Sequence, residues 1–512
     1  MVNQDGFANP SATVPLPSFS LSALDPLVVQ ADSLTGIISL SWRPFRNGRF
    51  EGYAIWREII GGVPAQLDLL TAAEDTVWID PSAAPATDYL YWMELLAAGQ
   101  RRPSEKIGAV YQLPSITLEE ALFSSETATA QLRWSPYTGP GFAAYIIQRQ
   151  APGLETEAVA EIADSTVVAH VDTRLNGNTL YTYQIQVQTR WPTAVTSNPV
   201  SGRFYPLTEV ITLPLDDPPH AIALGLDAND GLYAAQTVVS AQATRQLGSL
   251  TLRGQMQVVL PGGDLITVEL DGSPDSRSPI FILVQEGRLY AAVGSEGRTW
   301  IIALELDGSQ VWHQEVPLEL GLFPAGLYKN LQGDIFLVDD RNGTYRLHAD
   351  TGERGETLAL NFNTVTRASA LTRLHLQRLD GEEYFLLLRP DHLDNRAFSR
   401  LRNPPDGLYS LLSPFVALDE GIGFGPGQLL SPVALGYDAS RQRLLVMEQQ
   451  SGLKLFNARP QAQRRYITQL GGFGSGDGQF QVLTSVGAAV AGDSQGRIYV
   501  ADSTGRVQIF SP

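Results

Sequence analysis

The sequence predicts an all-β protein in which two small sandwiches precede a ring of short antiparallel sheets. Three observations carry this expectation. Apolar and polar residues alternate over short runs almost throughout, the period of a half-buried strand. Between those runs lie 47 Gly and 32 Pro in 512 residues, spread as turn residues are. The chain also repeats itself, at one fixed spacing before about residue 206 and at a shorter, looser one after it.

The first repeat is the sharper. "LSWRPFRNGRFEGYAIWRE" at 40–58 matches "LRWSPYTGPGFAAYIIQRQ" at 132–150, and "TDYLYWMEL" at 87–95 matches "TLYTYQIQV" at 179–187. Trp42 and Trp134 are 92 residues apart, as are Tyr53 and Tyr145, Arg57 and Arg149, and Tyr89 and Tyr181. In the later copy Tyr181, Tyr183, Ile185 and Val187 share one strand face. A unit of about 90 residues with several such strands and one early Trp fits a seven-stranded sandwich. The Trp on the second strand, the Tyr eleven residues later and the T-x-Y motif resemble immunoglobulin-like domains of the fibronectin type III family, over 20–113 and 114–206. That resemblance implies core positions for Trp42 and Trp134. It makes Tyr89 and Tyr181 corner tyrosines whose hydroxyls bond nearby backbone. No Arg-Gly-Asp tripeptide occurs in either copy, so the pair reads as spacer and docking surface. Residues 1–19 are left as an N-terminal extension.

From 207 to 512 the plan changes. "GRLYAAVGSEGRTWIIALELDG" (287–308), "GDIFLVDDRNGTYRLHADTG" (333–352), "QRLLVMEQQSGLKLFNARP" (442–460) and "GRIYVADSTGRVQIFSP" (496–512) each hold a strand, a polar Gly-containing turn and a second strand. A further strand precedes most of them. Repeats of roughly 45–60 residues, each one small antiparallel sheet, predict a β-propeller. Six blades are expected, with first strands near 220, 279, 323, 369, 432 and 485, the first and fourth being the least regular. The last two, "GIGFGPGQLLSPVALGYDASRQRLLVMEQQSGLKLF" and "GGFGSGDGQFQVLTSVGAAVAGDSQGRIYVADSTGRVQIF", resemble NHL repeats. "WIIALELDGSQVWHQEVP" in the second blade instead resembles the tryptophan-docking repeat of quinoprotein-type propellers. A four-stranded blade needs one strand more than the final repeat supplies, and an open edge is a hazard. "TEVITLPL" (208–215) is a β-branched run directly after the second sandwich, and it is expected to pair beside "RVQIF" and close the ring.

Composition excludes several classes of function. The net charge of −18, spread over both parts of the chain, disfavours nucleic acid and anionic membrane as partners. The strongest local basic runs are "RAFSRLR" (396–402) and Arg464–Arg465, both read as solvated surface. No apolar run reaches the 18 or so residues of a membrane span. Cysteine is absent, which removes disulfides, thiolate zinc sites and thiol nucleophiles together. "MVNQDGFANPSATVPLPS" lacks a basic-then-apolar signal pattern.

Chemistry-bearing residues are few. The histidines, His170, His220, His313, His348, His375 and His392, fall at unlike positions in their repeats, so converging metal ligation is not expected. Asp339 and Asp502, which end second strands in "LVDD" and "YVAD", are expected to fasten tight turns through their carboxylates. "DANDG" (227–231) has the oxygen content of a calcium loop without the remaining EF-hand ligands, and reads as a hairpin turn with Gly231 at positive φ. No G-x-S-x-G elbow, phosphate loop or H-E-x-x-H occurs. No catalytic, cofactor-binding or metal residue is therefore nominated, and no cofactor is expected.

The expected function is that of a non-enzymatic binding or scaffold protein whose propeller loops and sandwich surfaces take a protein or glycan partner. The resemblance implies a bacterial cell-surface or secreted setting, with a signal removed and a lipid-bearing Cys replaced by Met1. A native start at Met1 would place it in the cytoplasm. Two alternatives stand beside it: a calcium-dependent hydrolase or lyase with its site in the central channel, and a structural subunit of an extracellular assembly.

Overall fold

The computed structural model describes residues 27–46, 48–214, 221–243, 250–270, 280–295, 298–316, 324–329, 334–339, 343–359, 373–379, 382–388, 398–403, 410–416, 423, 425–459, 466–483 and 487–512. Among these residues every regular element is a strand.

The first sandwich packs a sheet of Val28–Asp32, Ile37–Ser41 and Val77–Asp80 against one of Ala65–Leu70, Phe50–Ile59 and Tyr89–Ala97. Its last strand is broken into Gln100–Pro103 and Ile107–Ala109, both paired with Tyr89–Ala97. The Ser104 hydroxyl occupies the break and accepts the Met93 N–H at 3.1 Å. The second sandwich repeats this plan strand for strand, from Leu118–Ser124 to Val200–Gly202. Ser197 fills its break in the same way, against Ile185 N at 3.0 Å.

The 92-residue spacing extends to individual bonds. Trp42 meets Tyr53 edge-on at 5.3 Å, and Trp134 meets Tyr145 at 5.4 Å. Tyr53 Oη accepts from Phe45 N and donates to Ala73 O; Tyr145 Oη accepts from Tyr137 N and donates to Ser165 O. Tyr89 and Tyr181 are corner tyrosines, accepting from Ala84 N at 3.0 Å and Asn176 N at 2.9 Å. Each core also buries one charge network. Asp80 takes Arg57 and the Tyr91 hydroxyl, both at 2.6 Å, while Asp172 takes Arg149 and Tyr183, both at 2.7 Å. Burying a carboxylate is tolerated only with such compensation.

The remaining sheets form a six-bladed propeller. Its inner strands are Ala221–Leu226, Phe281–Gln285, Pro324–Lys329, Arg373–Leu379, Pro432–Asp438 and Ala489–Gly492. Each touches the next, and the last touches the first, so the ring is closed. The inner strands start within four residues of the expected positions. Five blades take four consecutive antiparallel strands, whereas the sixth takes three and borrows Leu207–Thr212. That strand runs antiparallel to Arg506–Phe510, with Leu207 opposite Phe510 and Val210 opposite Gln508. The anticipated closing strand therefore forms, and Leu213 N extends it by a bond to Gly505 O at 2.9 Å. In blade 1 the strands Leu232–Ala243 and Leu250–Val259 stay paired beyond the reach of their neighbours, out to Ala243 opposite Leu250.

Adjacent blades are stapled at their outer strands. Trp312 of blade 2 is buried and donates its indole N–H to Ala349 O of blade 3 at 3.0 Å. Its ring lies over Gly352, where a Cβ would come within 2.5 Å of the indole, so only glycine admits the contact.

Candidate interaction surfaces

Of the carboxylates that the sequence singled out, Asp502 and Asp227 hold backbone groups and Asp339 holds a side chain. Asp502 accepts Thr504 N and Gln481 N, both at 3.0 Å, and so fastens its turn as expected. Asp339 is buried and accepts the Tyr345 hydroxyl at 2.9 Å. Asp227 Oδ1 accepts Asn229 N and Gly231 N, both at 2.8 Å, which makes "DANDG" a turn. One detail of that expectation is corrected. The residue at positive φ is Asp230 (64°), not Gly231. Glycine is needed at 231 for space, because a Cβ there would lie 2.6 Å from Asp227 Oδ2. Asp230 is thereby aimed at the neighbouring blade, where its carboxylate accepts Ser494 N of blade 6 at 3.0 Å.

The histidines do not converge where they are described. His170 lies on an edge strand of the second sandwich. His313 packs beside Trp300 on the outer part of blade 2, and His348 is exposed in a turn of blade 3. His375 belongs to the inner strand of blade 4, while His220 and His392 lie outside the described residues. Among the described residues no group of three His, Asp or Glu is arranged to hold a metal ion. Of the two basic runs, residues 398–402 fall in the strand Phe398–Asn403, and residues 396–397 and Arg464–Arg465 lie outside the described residues.

Sequence reasoning missed the buried polar residues of blades 5 and 6. Lys454 and Gln508 occupy matching places on third strands, and both are fully buried. Each holds the Gly-rich lead of its own blade. Lys454 Nζ donates to Gly425 O at 3.0 Å and to Gln428 O; Gln508 accepts from Gly478 N and donates to Gln479 O. Glu448 accepts Leu430 N and Ser431 N. Burial raises the Glu448 carboxyl above its ordinary value, against the pull of Ser431 N and Lys454. Burial lowers the Lys454 ammonium, opposed by Glu448. The G-x-G-x-G-Q spelling was the available signal. Such a loop turns many carbonyls and N–H groups inward, and these need polar partners.

A set of polar contacts joins the second sandwich to the propeller. Gly177 N donates to Gln469 O at 2.9 Å, and Thr468 Oγ1 donates to Leu175 O at 2.7 Å. Asn178, at positive φ, accepts Leu207 N at 2.9 Å and so aims the closing strand. Arg441 reaches Ser125 at 2.9 Å. Arg443 is among the largest fully buried side chains, lying over the Tyr205 ring, donating to its hydroxyl and facing Glu126 at 3.2 Å. One continuous apolar core runs from Trp134 and Tyr183 of the sandwich to Leu445, Met447, Val500 and Phe510 of blades 5 and 6.

No family model matches the chain, and no curated protein matches its sequence. Solved structures share its outline. A two-domain fibronectin type III segment of chicken tenascin aligns over 35% of this chain and 97% of its own, at 17% identity and a TM-score of 0.20. A structural genomics protein of unknown function from Bacteroides thetaiotaomicron VPI-5482 aligns over 96% of this chain and 100% of its own, at 11% identity and a TM-score of 0.36. The β-propeller domain of Cps50 (Swd1) from Myceliophteria thermophila aligns over 66% and 93%, at 10% identity and a TM-score of 0.34. At such scores the fold rests on the strand topology itself.

Proposed function

We propose that the chain is a non-enzymatic binding scaffold, in which the second sandwich and the propeller act as one rigid mount for surfaces that take a protein partner. The observation that carries this reading is the buried Arg443 bridge to Glu126 and Tyr205, set in a core shared by both domains. Interfaces between domains of one chain are usually modest and permit relative motion; a fully buried cation and a continuous apolar core resist it. Asp227, Glu448, Lys454, Asp502 and Gln508 are already committed to backbone groups, which favours a structural use of the polar residues over a catalytic one. The NHL-like spelling of blades 5 and 6, a cell-surface or secreted setting and a lipid anchor belong to this proposal, as does glycan as the less favoured partner. The test is elemental analysis of the purified full chain, followed by melting with and without chelator. A stoichiometric calcium ion whose removal shifts melting strongly would favour the channel hydrolase or lyase and overturn the scaffold reading.

A further inference from the structure

The two sandwiches are copies, so each is an internal reference for the other. Their strand-loop ends differ in charge at the pole formed by the loop before Phe50–Ile59 and the turn after Tyr89–Ala97. In both copies the same bond ties this loop to this turn: Ala98 N to Arg49 O at 2.9 Å, and Arg190 N to Gly141 O at 2.8 Å. In the second sandwich the pole is covered by the first. Gly36 stands against Pro140, and the Trp191 ring meets Tyr111 edge-on at 6.4 Å. The loop there carries Ser135, Thr138 and Gly141.

In the first sandwich the matching positions are Arg43, Arg46 and Arg49, and the strand Gln100–Pro103 that follows the paired turn adds Arg101 and Arg102. All five are exposed. They stand among four carboxylates, Glu51, Glu74, Asp75 and Glu94, so these nine described residues, five positive and four negative, sum to +1 on a chain of net charge −18. Arg46 faces Glu74 at 3.5 Å and Arg101 faces Glu94 at 3.6 Å, while Arg49 and Arg102 make no ion pair among the described residues. Exposed pairs of this kind hold their arginines weakly. Between the loops the half-buried rings of Phe45 and Phe50 lie 6.4 Å apart.

We infer that this pole is a docking surface for an acidic segment of a partner protein. Planar guanidiniums match carboxylates two bonds at a time, which ammonium groups cannot do. The interspersed Glu51, Glu74 and Asp75 suit spaced carboxylates and repel the dense charge of a phosphate backbone. Phe45 and Phe50 offer contact to apolar side chains lying between the acidic ones. The inference deepens the scaffold reading and rests on it, since it names the partner chemistry of one presented surface.

The test is fluorescence anisotropy of a labelled Glu-rich peptide with interspersed Leu, titrated with the full chain. Expected are saturable binding that weakens as salt is raised, and a loss of about tenfold or more in R46E/R49E/R102E. Exposed Arg133, in the second sandwich, is the control: R133E is expected to bind as the parent does. Near-UV circular dichroism verifies folding, and R46Q/R49Q/R102Q replaces the reversed variant should that one misfold. No binding by the parent chain, or equal binding by the arginine variants, overturns the proposal. So does arginine-dependent binding of polygalacturonate, duplex DNA or anionic vesicles in place of the peptide. The chelator experiment reads the scaffold proposal separately, so a negative peptide result leaves that outcome intact.

Discussion

The guanidinium of Arg443 in blade 5 and the carboxylate of Glu126 in the second sandwich lie 3.2 Å apart, and their exposures are unequal: about 1% for the first side chain and 54% for the second. The cation has been taken out of water, and its countercharge has not. The contact has the geometry of an ion pair without a hydrogen bond along that N–H. Removing the two partners should therefore have different costs.

Glu126→Ala leaves a buried cation with Tyr205 as its main support. A loss of about 2 kcal/mol is expected, below the full buried-pair value because Glu126 is half exposed. Arg443→Met removes the desolvated charge and keeps the volume, so it should be close to neutral. Chemical denaturation of both variants decides the matter, and equal losses would show that the cation is not the costly member.

Closure of the ring is tested by proline. Val210 and Ile211 face Gln508 and Val507 across the ladder that completes blade 6. Replacing both with proline removes the one ladder donor that this neighbouring pair supplies and should cost about 1–3 kcal/mol. The loss should appear in the propeller transition, leaving the near-UV signal of the first sandwich in place at temperatures where the propeller has melted.

The Trp312 staple divides into two parts. Trp312→Phe loses the bond to Ala349 O and should cost about 1 kcal/mol. Trp312→Ala also opens a hole above Gly352 and should cost about 3 kcal/mol. Thermal melts of the two variants would show the difference as a graded fall.

Acid sensitivity is assigned to Asp80. Burial alone would raise its carboxyl, but hydrogen bonds from Tyr91 and Ser82, together with the charge of Arg57, outweigh burial and hold it below 3.8. A depressed carboxyl contributes stability that is present above the unfolded value and lost as pH falls through the folded one. The parent chain should thus lose stability as pH drops below about 4. Asp80→Asn should be less stable at pH 7 and show a flatter acid limb, as read from melting temperature against pH.

Much of this architecture was legible because strands of one period recur at one spacing. The 92-residue offset marked Trp42 and Trp134, and the same offset proved to carry Asp80 and Asp172 with their arginines and tyrosines. The closing strand was legible through a shortage, since three strands cannot cover both faces of a blade. Other features were hidden for physical reasons. Arg49 and Arg102 are more than fifty residues apart in the chain, and they come to one end of the sandwich through the pairing of Phe50–Ile59 and Gln100–Pro103 with Tyr89–Ala97 and the tie between Ala98 and Arg49. Buried Arg443, Lys454 and Glu448 look like ordinary surface charges in strands of alternating pattern, because burial there is imposed by a second domain or by a Gly-rich loop. Gly231 was assigned a dihedral role when the need was for space, a distinction that residue type alone does not make.

The pairing of Leu207–Thr212 with Arg506–Phe510 also sets an order of events during synthesis. The strands of each sandwich pair only within their own copy, so their sheets need nothing from the propeller to form. Sheet six differs, for its outer strand emerges roughly 300 residues before its mate, about 15–60 s at ordinary translation rates. Throughout that interval the early strand is a β-branched segment with bare hydrogen-bonding groups, tethered to the second sandwich. In the folded chain Asn178 accepts Leu207 N, which fixes the first residue of that strand to the sandwich.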